Sequence, residues 1–382
     1  MNQQGNRIRA VVGVMTGTSI DGLDASLAEI RGCGLSMSAK LRGHLSAPLG
    51  DLAARLRAAA DQRAMSAGEF ARLSLDFGTF HAAVIQQLLE SANGGESPDL
   101  ICVHGQTVYH QPPVSWQLIN PTPISEQLGC PVVYDLRQAD LAAGGQGAPI
   151  TPLADWVLFR HESRRRAIVN LGGYCNVTIL PAGDSPAAIA DIAGFDVCAC
   201  NQILDAVARL ALNAPFDDRG HAARRGRCDE GACRSLLAIL EAQRAGHRSL
   251  GTGDEAIRWV RDHLGKLAPN DLARSASAAI GHCIGDAVGA HDVDVVIAAG
   301  GGTLHDVLLE SIAQRSALVI RRSDELDVPV EARESLEFAI LGALCADGVP
   351  ITLPAVTGCG APAPIAGTWI GHRSRASTLP SC

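Results

Sequence analysis

The sequence predicts an α/β protein of two domains, each opening on an antiparallel hairpin with a glycine-rich tip. Residues 10–30 read AVVGVMTGTSIDGLDASLAEI and residues 166–180 read RAIVNLGGYCNVTIL. In each, an apolar run enters a stretch of Gly, Thr, Ser or Asn and a second apolar run leaves it, the pattern of two paired strands around a tight turn. Glycine lets backbone N–H groups converge on an anion without side-chain obstruction, and Thr18, Ser19 and Asn176 add hydroxyl or amide donors. A third segment, residues 293–310, runs from an apolar strand through Gly300, Gly301 and Gly302 into a helical pattern, which suits close approach of the backbone to a nucleotide.

Hairpin, hairpin, then strand, glycines and helix is the order of the nucleotide site in the actin-like sugar kinases, and on this ground the chain resembles that superfamily. The resemblance implies an actin-like ATPase fold, two RNase H-like α/β domains around a nucleotide cleft. Two better-known nucleotide motifs do not fit. A Walker loop needs Gly-Lys-Ser/Thr, yet Lys40 and Lys266 are the only lysines and neither stands in such a loop. The dinucleotide fingerprint wants its last glycine where His305 stands. Taken singly, each glycine loop reads as a plain turn; the ordered trio is what points to a nucleotide.

The elements follow in order. Residues 49–89 carry apolar side chains at helical spacing, among them Phe70, Leu73, Phe77, Phe80 and Val84, and are expected to cover the first sheet as helices with this stripe in the core. Residues 100–103 read as a buried strand ending in His104-Gly105-Gln106-Thr107, and residues 132–134 as another, followed by DLRQAD and AAGGQGAP. Polar residues at the C-terminal end of a parallel strand are where α/β proteins place ligand contacts. Glycines and prolines at 144–152 break the periodicity and mark a domain boundary and hinge. The second domain opens with the hairpin at 166–180 and continues with helices at 201–212, 233–245, 255–264 and 271–290 and a strand from Val293. A helix from Glu331 returns the chain to the first domain, and residues 358–382, rich in Gly, Pro and Ser, are expected to be loop or tail. The first domain is thus 1–145 with 335–382, and the second 146–334.

A net charge of −8, with no basic stripe interleaved with aromatics, argues against nucleic acid as a partner. No apolar segment approaches the ~20 residues needed to span a bilayer, and the opening MNQQGNRIRA lacks the apolar core of a signal peptide, so no membrane and a cytoplasmic location are expected. The 12 cysteines are scattered through apolar strand and helix patterns, so reduced core thiols are expected for most of them. Cys198 and Cys200 with Cys228 and Cys233 could supply four zinc thiolates, but the first spacing is tight and no Cys-x2-Cys knuckle occurs.

The segments GVMTGTSIDGLDAS, HGQTVYHQP, DLRQADLAAGGQGAPITPLAD, VNLGGYCNVT, GFDVCACNQILD, GGGTLHD and ARESLEFAILGAL stand in the order they have in the anhydro-N-acetylmuramic acid kinase family. TLPAVTGC near the C-terminus is similar to that family's closing motif, so the chain resembles the family nearly end to end. The resemblance implies an enzyme that uses ATP and Mg2+ to open the 1,6-anhydro ring of anhydro-N-acetylmuramic acid and phosphorylate O6, giving N-acetylmuramic acid 6-phosphate in peptidoglycan recycling. It also implies a homodimer. Water must attack the anomeric carbon while O6 leaves it and takes the γ-phosphoryl group, so the site needs a carboxylate base near the sugar and an anion cradle.

Asp196 matches the family's catalytic base; on its residues alone it could instead cap the helix from Asn201, although it stands several residues early for an N-cap. Gly17, Thr18, Ser19, Ile20, Asp21, Gly22, Leu23 and Asp24 match the family's ATP-phosphate motif. Asp21 and Asp24 could hold Mg2+ through water, or Asp21-Gly22 could be the hairpin turn, favoured there for its φ > 0 geometry. Gly172, Gly173 and Asn176 would form the second phosphate loop, and Gly300, Gly301 and Gly302 would lie under the adenosine. On the sugar side the family's late-helix glutamate falls at Glu334, and His104, Gln106, Arg137 and Asp140 line strand ends suited to hydroxyl and carboxylate recognition. Arg137 fits the lactyl carboxylate of a muramic sugar because its planar fork matches a carboxylate bidentately; an ion pair with Asp135 or Asp140 is the alternative.

One departure stands out. The family's aspartate is normally followed by Thr-Gly-Pro-Gly-Asn, whereas here Val197, Cys198, Ala199 and Cys200 precede Asn201. Side chains in place of glycines restrict φ and are expected to crowd toward the site. Two other readings stay open: a kinase for another anhydro or amino sugar, and a catalytically weak nucleotide-binding protein of the same fold.

Overall fold

The computed structural model describes residues 7–371 apart from Thr18, Glu96 and residues 246–253. The chain forms two compact units. The first runs to Phe159, takes back Ser185–Ile192 and resumes at Ala332; the second is Arg160–Asp184 with Ala193–Glu331.

In the first unit the strands are β1 (Ile8–Met15), β2 (Gly22–Arg31), β3 (Ser38–Pro48), β4 (Leu100–Val103), β5 (Gln106–Gln111), β6 (Val114–Leu118) and β7 (Val132–Tyr134). β5 and β6 form a separate hairpin, and the main sheet has the order β7-β4-β1-β2-β3. β1, β2 and β3 pair antiparallel, while β4 and β7 run parallel to β1. A short strand, Thr368–Ile370, adds antiparallel to β7 with Trp369 opposite Val133. The expectation of loop beyond residue 358 is corrected there: an aromatic and a β-branched residue between turn formers are enough to pair with an exposed edge. Residues 358–367 are loop as expected, and residues 372–382 lie outside the described residues.

Alternation along the hairpin sends its two faces to different partners. Val12, Val14, Leu23, Ala25 and Leu27 join the core built with α1 (Asp51–Ala60) and α2 (Ala67–Asn93), where Leu73, Phe77 and Val84 are buried. α2 opens on a capping box, with Glu69 N donating to Ser66 Oγ at 3.3 Å and Ser66 N to Glu69 Oε2 at 2.7 Å. The opposite face receives the late helix, Arg333–Ala346: Ser26 and Ser335 hydroxyls meet at 2.7 Å, and a Cβ on Gly13 would overlap Ser335 O and Ala339 N. Glycine at 13 is therefore what lets the helix lie on β1. The unit also holds α3 (Thr122–Leu128), α4 (Gln138–Ala142) and α5 (Pro152–Phe159).

In the second unit β8 (Arg166–Leu171), β9 (Tyr174–Leu180), β10 (Ala193–Ala199), β11 (Val295–Ala299) and β12 (Val319–Arg322) form a sheet of order β10-β9-β8-β11-β12. The first three are antiparallel, and β11 is parallel to β8 and β12. Counted from the first strand of each unit, both sheets run 3-2-1-4-5 with the same mix of directions. That repeated RNase H-like sheet is the actin-like fold expected from the sequence. The helices here are α6 (Asn201–Val207), α7 (His221–Arg225), α8 (Glu230–Ala245), α9 (Asp254–His263), α10 (Pro269–Gly289) and α11 (Asp306–Ser316). Among the described residues no helix is long and apolar enough to cross a membrane. The described cysteines are free thiols, and all but Cys33 and Cys228 are buried.

Candidate active site

In the second unit Gly172 and Gly173 join β8 to β9, with Asn170 opposite Asn176 and Leu171 opposite Cys175. Neither glycine takes a left-handed φ. A Cβ at Gly173 would meet nothing nearer than 3.5 Å, an ordinary contact, whereas one at Gly172 would stand a tight 3.3 Å from Tyr174 O, so torsion demands glycine at neither position and packing resists a side chain only at 172. What their missing side chains leave is clear approach to the turn's backbone, the property an anion cradle needs. The carbonyls are committed elsewhere: Gly173 O accepts from Cys200 N at 2.9 Å and Gly172 O from Asn201 N at 3.0 Å. Asn201 Nδ2 donates to Leu171 O at 3.0 Å, which fixes the start of α6 beside the turn.

The triple-glycine loop packs on the same residue. Gly300 has φ 80°, and its Cβ would lie 2.7 Å from Asn170 Oδ1 and 2.9 Å from Leu171 O. At Gly302 a Cβ would meet Leu171 Cβ at 2.7 Å and Asn201 Oδ1 at 2.9 Å, whereas at Gly301 the nearest atom is 3.8 Å away. Gly300 and Gly302 are thus glycine for packing, and Gly301, which is exposed, has space above it.

Asp196 is half-buried on β10, opposite Asn176, where the register shifts between Asp196 and Cys198. A bulge leaves one residue unpaired and re-aims its neighbours, and such bulges concentrate beside active sites. The N-cap of α6 is Cys200 with no side-chain cap bond, so Asp196 is a strand residue and the capping reading is set aside. Val197, Cys198, Ala199 and Cys200 are all 0% exposed and belong to the unit's core. Their expected crowding toward the site is corrected: α8 and α10 both pack on β10, so these side chains fill the space beneath it. Burial raises the Cys175 thiol well above its usual value and pushes Cys200 up to about 12, so both are neutral.

In the first unit the chain leaves β1 through Thr16 and Gly17 and turns, with Ile20 N donating to Gly17 O at 3.3 Å. The positive φ falls at Ile20, 54°, while Gly22 is simply the first residue of β2; the reading of Asp21-Gly22 as a φ > 0 turn is corrected accordingly. Ile20 and Leu23 bury their side chains in the core, leaving only backbone to face an anion. Thr18 lies outside the described residues. Asp21 is exposed and accepts from Ser19 Oγ at 2.8 Å; Asp24 stands on β2 with His44 Nε2 3.7 Å away. Two solvent-reachable carboxylates fit Mg2+, a hard cation that keeps most of its waters.

The end of β4 carries a linked set. His104, 4% exposed, places Nδ1 2.7 Å from Gly105 O, and its Nε2 accepts from Arg137 Nη2 at 2.9 Å. Burial, then the charge of Arg137, brings the His104 pKa down to about 3. Arg137 also donates through Nη1 to Gly147 O at 2.6 Å; burial lowers its pKa to about 10, with Asp140 opposing, so it keeps its charge. Its hydrogen bonds therefore go to a neutral ring and a carbonyl rather than to Asp135 or Asp140. Asp140 is fully buried and accepts from Gly147 N and from Thr357 Oγ1, each at 2.7 Å, which ties the AAGGQGAP loop to the C-terminal segment. Thr357 carried no site expectation of its own; its one sequence signal is its place in TLPAVTGC. Gln106, 1% exposed, has Nε2 3.4 Å from Gly17 O, and its Oε1 has no hydrogen-bond partner among the described residues. A buried acceptor left open beside the first glycine turn is a place for a ligand donor. Glu334 is half-buried on the first turn of the late helix, and Phe338 one turn on packs edge-on against His104 with ring centroids 4.9 Å apart.

Two RNase H-like sheets, each with a glycine turn at its first hairpin and one with a carboxylate next to a bulge in its third strand, define a phosphotransferase of the actin-like class. The sequence matches the family model described as anhydro-N-acetylmuramic acid kinase over residues 9–369. The chain belongs to that family, and it is an enzyme, a sugar kinase that uses ATP on a small-molecule substrate. It is 33% identical to the anhydro-N-acetylmuramic acid kinase of Salinibacter ruber, covering 94% of this chain and 95% of that one. With the Streptomyces coelicolor protein of the same name it shares 34% identity over 91% of this chain and 90% of that one. Among solved structures it is similar to component A of the Acidaminococcus fermentans (R)-2-hydroxyglutaryl-CoA dehydratase, with a TM-score of 0.49 and 12% identity over 88% of this chain and 98% of that one. Family membership does not favour the nucleotide-switch reading or a different sugar.

Proposed function

We propose that Asp196 is the general base of an ATP-dependent kinase that opens the 1,6-anhydro ring of anhydro-N-acetylmuramic acid. The observation that carries this assignment is the half-buried Asp196 carboxylate, next to the bulge at Val197 and opposite Asn176 on the strand that leaves the Gly172-Gly173 turn. Asp196 takes a proton from water as the water oxygen bonds to C1 of the sugar. The C1–O6 bond breaks, O6 bonds to the γ-phosphorus of ATP, and the bond from that phosphorus to the β-phosphate oxygen breaks, giving N-acetylmuramic acid 6-phosphate and ADP.

The backbones of residues 17–24 and of Gly172-Gly173, with Asn176, hold phosphate, and the open face at Gly301 takes the adenosine. Asp21 and Asp24 fit Mg2+ through its waters, and that ion would neutralise charge on the phosphates. His104 donates its only ring proton to Gly105 O, so it orients Arg137, whose charge faces the lactyl carboxylate; Gln106 Oε1 and Glu334 receive sugar hydroxyls. Asp140 shapes the loop from beneath. The protein works in the cytoplasm on a product of peptidoglycan turnover, as a homodimer. The test is ADP production with Mg2+ and ATP on the anhydro sugar, with plain N-acetylmuramic acid beside it: turnover on the anhydro sugar is expected, and its absence would overturn the reading.

A further inference from the structure

The late helix begins on a buried charge cluster that none of this chemistry uses. Arg333, Asp155 of α5 and Glu337 are 3%, 1% and 0% exposed. One guanidinium nitrogen, Nη2 of Arg333, meets both carboxylates: it pairs with Asp155 Oδ1 and stands 2.8 Å from Glu337 Oε1. Two ionised carboxylates held against one cation away from water would carry a net negative charge, and a shared proton removes it.

We propose that Asp155, Arg333 and Glu337 form a clamp in which Glu337 carries a proton and donates it to Asp155, and that this clamp positions the late helix for the sugar. Arg333 is then the ionic partner of Asp155, and Glu337 is a neutral hydrogen-bond donor. The helix so held carries Glu334 next to Arg333 in sequence and Phe338 next to Glu337, and Phe338 packs on the His104 ring that binds Arg137. Both sides of the sugar-recognition set therefore hang on one helix turn. The clamp residues touch no substrate atom in this scheme, so they are positioning residues. The inference rests on the assignment of Glu334, His104 and Arg137 to the sugar.

The surroundings support the proton. Burial raises the Glu337 carboxyl well above its usual value, with Arg333 opposing and Asp155 and Glu334 adding to the rise. The strands under the helix meet it through Gly13 on β1, Ser26 on β2 and Cys102 on β4, the last a thiol that burial keeps neutral; beyond β4 stands the neutral His104. Arg333 is the cation that faces the pair. Burial works against its charge, and the ionised Asp155 holds it.

The sign of the pH effect follows. A carboxyl whose folded value is raised binds its proton in the folded state where the unfolded chain has lost it. Its contribution is complete below the unfolded value of ~4.5 and is lost as pH rises toward the folded value. Glu337→Gln keeps a neutral donor and removes the titration. In denaturant unfolding above pH ~4.5, the wild-type unfolding constant is expected to rise with pH relative to that of the Glu337→Gln variant, by at most about tenfold per pH unit. Equal pH slopes for the two proteins would overturn the shared proton.

Positioning is read in kinetics. Glu337→Gln is expected to keep the sugar KM within about twofold of wild type and to remove the rise in KM that loss of the shared proton gives the wild-type protein as pH increases. Asp155→Asn combined with Glu337→Gln strips Arg333 of both carboxylates, and the sugar KM is expected to rise at least about tenfold with the ATP KM little changed. A folded double variant with an ordinary sugar KM, or one whose ATP KM rises equally, would overturn the positioning role. If the wild-type protein turns over no anhydro sugar, the proposed function fails, while the pH slopes still decide whether the proton is shared.

Discussion

The guanidinium of Arg137 donates to Nε2 of His104 at 2.9 Å, so the single ring proton of His104 sits on Nδ1 and is given to Gly105 O at 2.7 Å. A neutral ring is the only form that can accept there, and a second positive charge beside Arg137 would be driven off. His104 and the buried His81 of α2, whose pKa burial lowers to about 4, share this behaviour. Both folded values lie below that of a free imidazole. Their contribution to stability is therefore complete above pH ~6.5 and is lost as pH falls from there toward 3 to 4. NMR of the imidazole C–H signals is expected to show no titration of either ring between pH 5 and 8; a midpoint near 6.5 for His104 would break the hydrogen-bond assignment.

Asp196→Asn should fold normally, because Asp196 caps no helix and is only half-buried on its strand. Sugar-dependent turnover is expected to fall by about 10²- to 10⁴-fold, the usual worth of a general base, with ATP affinity retained. Calorimetric titration with a non-hydrolysable ATP analogue alongside the turnover assay separates the two effects. Near-normal turnover would reduce Asp196 to a structural residue.

The three glycines at 300–302 should separate on substitution. Gly300→Ala forces a Cβ onto Leu171 O at a φ of 80°, and a loss of about 2–4 kcal/mol in unfolding free energy is expected. Gly301→Ala makes no contact nearer than an ordinary 3.8 Å, so stability should stay within about 0.5 kcal/mol of wild type while the nucleotide KM rises. Urea unfolding together with ATP titration measures both. An unstable Gly301→Ala protein would show that the loop is glycine throughout for folding alone.

Restoring Thr-Gly-Pro-Gly at 197–200 is expected to harm the protein. Each of the four native side chains is 0% exposed, and removing buried carbon or sulfur costs on the order of 1 kcal/mol or more per site. Proline at 199 also removes an N–H that lies 3.4 Å from Gln243 Oε1. Thermal unfolding should shift to lower temperature, and turnover should not rise. An equally stable, faster variant would mean that this loop has drifted without its core adapting.

Arg137→Lys should raise the sugar KM by about tenfold or more, because a single ammonium cannot serve His104 Nε2, Gly147 O and a carboxylate together as a planar fork can. A sugar lacking the lactyl carboxylate should lose the difference between the two proteins. Equal discrimination by both would move the carboxylate contact to another residue.

The hairpins, the parallel strands and the late helix were legible because each is an apolar run with the right period, closed by glycine or polar residues. The order of the three glycine loops then singled out one fold. Less legible was how deeply the end of a strand beside the site is buried: Val197 to Cys200 read as intruders on the site and are core. The turn at residues 17–22 misled for a related reason, since Asp-Gly is the favoured φ > 0 pair, yet tertiary packing of the Ile20 side chain placed the positive φ there instead. Asp140 and Arg137 looked like a sugar-facing pair from their position at a strand end. Only the fold shows the Asp140 carboxylate taken up by Gly147 N and Thr357, a partner 217 residues away. Glu337 gave no signal at all, because on a helical wheel it reads as one more polar residue, and its burial depends on α5.

The discontinuous course of the first unit bears on how the chain is made. One face of its sheet is closed by the late helix from Arg333, whereas the second unit occupies most of the sequence from Arg160 to Glu331. At a synthesis rate of ~5–20 residues per second, the ribosome needs roughly nine to thirty-five seconds to reach that helix after finishing α5. Throughout that interval Gly13 and Ser26 lie on a bare sheet face, and by its end the later unit has every strand of its own. The segment at 333–346 is thus delivered late to the first unit's core, and a nascent chain stalled before it should be a chaperone client.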